Sequence, residues 1–308
     1  MRRLNRVVVA VMAAGAMGTG AIAVTSAQHD ANELQGQIPG AGGIHWARGR
    51  GPAARRGASP NLVYHGGPVM TQGAYVEPIF WGPRWADASF VGDKIGGVQT
   101  FYSTIGGSPY EATTTEYTDA TGMTVGTSVT LGVTHVDVSP APKSGNKTAP
   151  ILAEVCSAAT NLVPDGYYPV YVDTPRGHAG FCAWHSAGTC PNGVTVQFAF
   201  FFNLDGDPGC DPEDTSGTHS QGLAALGNVS GHELSEALTD QHLNAWYDAN
   251  GAENADKCAW AFGTPLLTFS KRSQWKIQGN WSNAAFDAGT GYPNRSGQTG
   301  CLDGGNFR

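Results

Sequence analysis

Two long runs of aromatic and β-branched residues constrain the fold of this chain more than any other feature. They are Tyr167 to Val172 and Val194 to Phe202, and both have the composition of β-strands. Neither run alternates apolar with polar residues, so both faces of the predicted sheet must be covered. Because helices commonly provide that cover, the sequence favours an α/β fold, or an α+β fold with a mixed sheet.

Other segments alternate between strand and helix patterns. Tyr75 to Trp81 predicts a buried strand, and Val125 to Val138 contains β-branched residues suited to strands. The spacing of apolar residues predicts helices over Phe90 to Ile105, Ala149 to Leu162 and Ser220 to Leu238. We therefore expect a mixed sheet with flanking helices.

The last of these helices contains the sequence His232-Glu233-Leu234-Ser235-Glu236. Residues four apart lie on one face of a helix, so His232 and Glu236 can bind one metal ion together. Glu233 is placed to take a proton from a metal-bound water. The spacing is that of the metalloprotease helix with glutamate in place of the second histidine, and it predicts a zincin-like active-site helix. The alternative is a surface helix whose polar side chains face water.

A catalytic zinc usually has three protein ligands and one water, so a third ligand is expected downstream. The residues available there are Asp240, His242, Asp248, Glu253 and Asp256. Asp240 and His242 are too close to the end of the helix, and Asp248 lies in a turn-forming sequence. Asp256 is the expected ligand, because a disulfide at Cys258 would hold its backbone in place.

The predicted site has one histidine and two carboxylates, which makes it more anionic than a site with two histidines. We expect Zn²⁺, with Mn²⁺ and Ca²⁺ as alternatives. His185 is the residue expected to act as an acid or to donate a hydrogen bond to a developing oxyanion. A structural role beside a disulfide is the alternative for this histidine.

The N-terminal residues have the pattern of an export signal. Arg2, Arg3 and Arg6 precede an uncharged apolar stretch from Val7 to Val24, and Ala27 offers a cleavage point. We therefore predict a signal peptide over residues 1–27, with a membrane anchor as the alternative. Residues 28–59 are rich in glycine and predict a flexible leader or propeptide. Residues 60–308 are expected to form a single zincin-like catalytic domain.

The cysteines support export to an oxidising compartment. There are six of them, an even number that predicts three disulfides. We expect Cys258 to pair with Cys301, because both follow the predicted metal-binding helix. Cys182 and Cys190 are expected to close a short loop.

The charge of the chain limits its partners. Its formal net charge is -7, and no basic stripe is visible, which argues against a nucleic-acid partner. No segment after the signal is apolar enough to span a membrane.

Several segments of the chain resemble one known family. They are Asn61 to Met70, Pro78 to Gly82, Phe181-Cys182 with His185, Gly231 to Asp240, Asn244 to Tyr247, and Asp256 to Cys258. These segments resemble the phosphate-induced protein 1 family, also called EXORDIUM-like. The segment Phe181-Cys182 with His185 is the loosest match. The resemblance covers about residues 60–308, and the later segments are similar to the family's bacterial members.

The resemblance implies an exported protein, associated in plants with the cell wall and growth. Many plant members lack the His-Glu pair, so the family by itself does not imply catalysis. This chain retains His232, Glu233 and Glu236, which favours a hydrolase by analogy.

We therefore expect a secreted metal-dependent hydrolase, foremost a zinc metallopeptidase that acts on a peptide or protein substrate. The alternative is a non-catalytic extracellular protein that binds cell-wall glycan through some of its 8 Trp residues. A glycosidase ranks last, because no second carboxylate is evident as a partner for Glu233.

Overall fold

The computed structural model describes residues 43–51, 60–159 and 161–305. The predicted signal peptide, residues 1–27, lies outside the described residues, and so does most of the predicted leader. Within the described ranges, no helix combines the length and the apolar character needed to cross a membrane.

An eight-stranded mixed sheet forms the centre of the described chain. In chain order, the strands are β1 (Ile44–Trp46), β2 (Val63–Tyr64), β3 (Ala74–Val76), β4 (Ile79–Trp81), β5 (Val129–Leu131), β6 (His135–Asp137), β7 (Tyr167–Pro175), β8 (Phe181–Thr189), β9 (Thr195–Asn203), β10 (Trp246–Tyr247), β11 (Leu267–Thr268), β12 (Gln274–Trp275), β13 (Asn280–Trp281), β14 (Tyr292–Pro293) and β15 (Thr299–Leu302). The large sheet has the order β1-β8-β9-β7-β3-β5, with β4 placed between β7 and β6. β7 pairs in parallel with β9, β3 and β4, whereas β8 runs antiparallel to both β9 and β1. The predicted mixed sheet is confirmed.

The two apolar runs occupy the middle of this sheet, within β7 and β9. Their side chains are almost fully buried, as expected for strands covered on both faces. The predicted strand from Tyr75 to Trp81 is divided into β3 and β4 at Pro78. Proline has no backbone N–H to donate to a neighbouring strand, which explains the interruption.

Within residues 43–51, 60–159 and 161–305, five α-helices accompany the strands. They are α1 (Ala88–Val91), α2 (Lys94–Ile105), α3 (Thr148–Ala158), α4 (Gln221–Thr239) and α5 (Asn283–Asp287). The helix predicted from Phe90 to Ile105 is divided into α1 and α2 because Gly92 adopts a φ of 49°, which ends α1. The structure therefore confirms the expected class, α/β or α+β with flanking helices.

Helix α4, which carries the His-Glu motif, is buried on all sides. Ser220 caps its first turn by accepting a hydrogen bond from the backbone N–H of Leu223, and Gly222 to Thr239 are all buried. The helix packs against β1, β8, β9 and α2. The alternative of a surface helix facing water is wrong.

Two glycines allow the chain beyond α4 to approach the helix closely. A Cβ atom on Gly227 would lie 2.5 Å from Cε3 of Trp275, and one on Gly231 would lie 2.9 Å from Cγ2 of Ile277. Both distances are shorter than ordinary van der Waals contact. The glycines thus let C-terminal residues cover the side of α4 that the sheet leaves open.

The predicted leader is wrong in one part. Ile44–Trp46 form strand β1, which pairs with the edge of β8, and Ile44 is 2% exposed. Without β1, that edge of β8 would present unpaired backbone groups. The apolar residues Ile44 and Ala47 bury this segment against the core.

The structure contains three disulfides, as predicted. They are Cys156–Cys190, Cys182–Cys210 and Cys258–Cys301. The expected Cys258–Cys301 pair is confirmed, whereas the expected Cys182–Cys190 pair is wrong. Cys182 lies near the start of β8 and Cys190 follows its end, and an extended strand of this length separates them by about 26 Å.

Adjacent glycines in α2 offer a test of the packing around α4. A Cβ on Gly97 would overlap the side chain of Leu223, whereas a Cβ on Gly96 would meet open space. Gly97→Ala should lower the free energy of unfolding by about 1–3 kcal/mol through overpacking. Gly96→Ala should raise it by about 0.5–1 kcal/mol, because alanine favours the helix. Urea denaturation of both variants measures the difference, and equal effects would contradict the packing described here.

Candidate metal centre

Four separate parts of the chain meet around the C-terminal half of α4. The helix supplies His232, Glu233 and Glu236. Strand β8 supplies His185, and β1 supplies His45. The segment after β10 supplies Glu253 and Asp256, the latter at the start of a short 3-10 helix, Asp256–Cys258.

His232, Glu236 and Asp256, the three predicted ligands, are brought together. Nε2 of His232 lies 2.9 Å from Oε1 of Glu236 and 3.6 Å from Oδ1 of Asp256. One donor atom from each residue lies within 4.8 Å of the other two. Nε2 of His232 nevertheless forms no hydrogen bond. The nitrogen of His232 and the oxygens of Glu236 and Asp256 are therefore close together without bonding to one another, as the ligand atoms of one ion are. The geometry fits an ion held by all three residues.

His185 also belongs to this cluster, and its side chain is 1% exposed. Its Nε2 lies 3.1 Å from Oε2 of Glu253 and 3.6 Å from Oε2 of Glu236. One of its ring nitrogens lies within 4.8 Å of oxygens of Glu233 and Glu236. The predicted role of His185 as an acid or oxyanion donor stays a prediction, but its position among carboxylates is that of a metal ligand or a ligand's partner.

His45 lies in the predicted leader and was missed as a member of the site. Its ring stacks on that of His232, with centroids 4.0 Å apart and planes inclined by 1°. The ring of Trp260 also packs against His45, with centroids 4.7 Å apart. The short apolar run Ile44–Trp46 was the only signal that this part of the chain was ordered.

Gln278 was also missed, and it orients His232. Its Oε1 accepts the backbone N–H of Trp260, and its Nε2 donates to the carbonyl oxygen of Ala255. The remaining N–H points to Nδ1 of His232, 2.9 Å away. A neutral His232 therefore carries its proton on Nε2, which an ion bound there must displace. Many metal-bound histidines instead donate Nδ1–H to an acceptor. Of the contacts in the cluster, the one between Gln278 and Nδ1 of His232 is therefore the least compatible with a bound ion.

The other acidic and histidine residues considered as ligands have structural contacts. Oδ1 of Asp240 accepts the backbone N–H groups of Asn244 and Ala245. His242 contacts Asp165. Asp248 forms the predicted turn and pairs with Lys257 at 2.7 Å. Glu253 differs from these three because it lies in the cluster beside His185.

Burial controls the protonation of the cluster. It lowers the pKa values of His185 and His232 to about 3 and holds the pKa of His45 well below its usual value. Burial first, and neighbouring carboxylates second, raise the pKa values of Glu233 and Glu253 well above the ordinary range. The pKa values of Glu236 and Asp256 are raised for the same main reason. Without an ion, the uncharged forms of these groups are favoured.

Many polar atoms of the cluster are buried without a hydrogen-bond partner. They are both ring nitrogens of His45, Nδ1 of His185, Nε2 of His232, both carboxylate oxygens of Glu233, and Oε2 of Glu236. Each unsatisfied buried polar group costs about 1–3 kcal/mol. Imidazole nitrogens and carboxylate oxygens are donor types that hold divalent cations, so these residues could hold one.

Asp256 is anchored as the sequence analysis expected. The Cys258–Cys301 disulfide lies two residues away, and the backbone N–H of Asp256 donates to Oε1 of Glu236 at 3.0 Å. The cross-link and this hydrogen bond hold the loop against α4.

Comparison of the chain with protein-family models, with curated proteins and with solved structures finds no match. The resemblance to the phosphate-induced protein 1 family therefore stays a prediction, and the site must be interpreted from its own geometry.

Removing the Cys258–Cys301 disulfide should weaken metal binding. The double variant Cys258→Ser with Cys301→Ser should lose about 2–4 kcal/mol of stability and release the loop that carries Asp256. The double variant Cys156→Ser with Cys190→Ser is a matched control, because it opens a loop of similar length away from the cluster. Competition with a chelator measures the affinity for Zn²⁺. Equal losses of affinity in the two variants would contradict the anchoring role.

Glu111 lies outside the cluster and tests how burial changes the pKa of a carboxyl group. It is 0% exposed, its oxygens have no hydrogen-bond partner, and burial raises its pKa to about 8. In the unfolded chain its pKa returns to about 4.3. The unfolded state therefore loses this proton first as the pH rises from about 4.5 to 8, and stability falls over that range.

Glu111→Gln should flatten this part of the pH dependence. Urea denaturation of wild type and variant at pH 5 and pH 8 measures the effect. A variant that loses as much stability as wild type between these values would show that Glu111 does not retain its proton in the folded protein.

Proposed function

We propose that this chain is a secreted, metal-dependent hydrolase, foremost a metallopeptidase that acts on a peptide or protein substrate. The observation that carries the proposal is the convergence of His232, Glu236 and Asp256, with Glu233 next to them on the same helix. Two of these ligands are held by α4 and the third by a cross-linked loop, so the site is rigid, as a catalytic metal site requires.

A divalent ion at this site would lower the pKa of a bound water and polarise a substrate carbonyl group. Glu233 is the proton acceptor in this proposal. Neither of its carboxylate oxygens has a hydrogen-bond partner, and a divalent ion beside the group would favour its ionised form, which can receive a proton. We propose Zn²⁺ as the ion, while a site with one histidine and two carboxylates also suits Mn²⁺ or Ca²⁺.

Two observations support secretion. The three disulfides are typical of proteins that fold in an oxidising compartment. The first 27 residues have the charge and apolar pattern of an export signal. The resemblance to the EXORDIUM-like family agrees with an extracellular protein, and a cell-wall glycan is then a further partner to test.

A second function is favoured by the burial of the site. His232, Glu233 and Glu236 are all 0% exposed. The ring of His45 stacks on that of His232, and the ring of Trp260 packs on that of His45. A substrate can reach the ion only if these groups move. In the alternative, the ion stabilises the fold of a non-catalytic, EXORDIUM-like protein that binds cell-wall glycan.

The variant Glu233→Gln separates the two functions. If Glu233 accepts a proton, this variant should keep an ion bound by the three ligands but lose about 10²–10⁴-fold in turnover. The measurement is cleavage of a mixed peptide library by the secreted, Zn²⁺-loaded protein, with bound metal determined by elemental analysis. Glu111→Gln is the control, because it makes the same chemical change at a buried glutamate outside the cluster.

The possible results lead to different conclusions. Full activity of Glu233→Gln would exclude Glu233 as the proton acceptor. A wild-type protein that binds the ion, cleaves no peptide, and still binds glycan after removal of the metal would support the non-catalytic alternative.

A further inference from the structure

We propose that the cluster holds two divalent ions, with the carboxylate of Glu236 bridging them. The first site is formed by His232, Glu236 and Asp256. The second site is formed by His185, Glu233 and Glu236. The proposal rests on the proposed function only for the first ion, and the second site follows from separate contacts. One carboxylate oxygen of Glu233 would hold the second ion, which leaves its other oxygen as the proton acceptor.

The orientation of Glu236 is the main argument. Its Oε1 lies 2.9 Å from Nε2 of His232, whereas its Oε2 lies 3.6 Å from Nε2 of His185. The two oxygens of one carboxylate thus face two different histidines, on opposite sides of the group. A carboxylate in this position joins two ions about 3.5–4 Å apart, the spacing of two-metal sites.

Most donor atoms of the second site lack a hydrogen-bond partner in the described structure, although Nε2 of His185 lies 3.1 Å from Oε2 of Glu253. Both oxygens of Glu233, Oε2 of Glu236 and Nδ1 of His185 are buried and lack hydrogen-bond partners. An ion at the first site satisfies none of the Glu233 oxygens, because that site is completed by Asp256. A second ion would give these oxygens of Glu233 and Glu236 the binding partner that the protein itself does not supply.

The charge of the cluster favours the same conclusion. Glu233, Glu236, Glu253 and Asp256 together carry four negative charges when ionised. The three glutamates are buried, and the side chain of Asp256 is 9% exposed. One divalent ion would leave two of these charges uncompensated, whereas two ions balance all four. Uncompensated buried charge is strongly unfavourable.

The nearest basic side chains are already engaged. Lys257 pairs with Asp248, and Arg48 donates to the carbonyl oxygen of Asp211. Neither side chain forms an ion pair with the four carboxylates within the described residues. The compensating charge must therefore come from bound cations or from protons.

His45 limits how the ions can be arranged. Its ring is parallel to that of His232 at 4.0 Å, and a histidine binds metal in the plane of its ring. An ion placed between the two rings would lie about 2 Å out of each ring plane. That displacement equals the length of a Zn–N bond, so the ion could not lie in the plane of either ring. His45 and His232 therefore do not share one ion, which leaves His185 as the histidine of the second site.

The number of bound ions tests the proposal without reference to activity. The full secreted protein is dialysed against Mn²⁺ at neutral pH, separated from free metal, and analysed for bound metal per chain. We expect two ions for wild type and for the control Glu111→Gln, one for Glu233→Gln, one for Asp256→Asn, and none for Glu236→Gln. Electron paramagnetic resonance of wild type should show two magnetically coupled Mn²⁺ ions, a result that needs no variant to fold.

Each failure has a distinct meaning. One ion in wild type at saturating Mn²⁺, lost in Asp256→Asn and kept in Glu233→Gln, would overturn the second site and leave the proposed function intact. No ion in wild type would overturn both. Two uncoupled ions whose number is unchanged in Glu233→Gln would show that the second ion binds elsewhere and would also overturn this proposal.

Discussion

The burial of α4 between the sheet and the C-terminal segments determines the rest of the structure. A helix with two glutamates and a histidine on its inner surface can be buried only if those groups are compensated. The surrounding elements supply further histidines and carboxylates rather than basic side chains. The cluster thus places residues of metal-binding types in the core of the protein, and burial favours the uncharged forms of its carboxyl groups when no ion is bound.

The same burial has opposite consequences for binding and for catalysis. Removal of water strengthens the attraction between carboxylates and a cation and prevents competition from solvent. It also hides Glu233, which is 0% exposed, from a substrate, and the ring of His45 stacks on that of His232. Hydrolysis therefore requires a movement of β1 or of the segment around Trp260, whereas a structural ion requires none.

Long-range connections, rather than the helix alone, complete the site. Asp256 is held by a disulfide and by a hydrogen bond to Glu236. Gln278 links the backbone at Trp260 and Ala255 to His232. Each of these contacts joins residues that are far apart in the chain, so the geometry of the centre depends on the folding of the whole C-terminal half.

The sequence alone determined the features that depend on local pattern. Aromatic and β-branched composition identified the central strands, and apolar periodicity identified α4. Helical spacing placed His232 and Glu236 together, because it depends only on backbone geometry. Only the tertiary structure decided that His45, Glu253 and Gln278 join the site and that Cys182 pairs with Cys210. These contacts are set by strand order and by the path of loops, which no local pattern encodes. The full burial of α4 was likewise decided by segments that follow it by tens of residues, through the close approach that Gly227 and Gly231 allow.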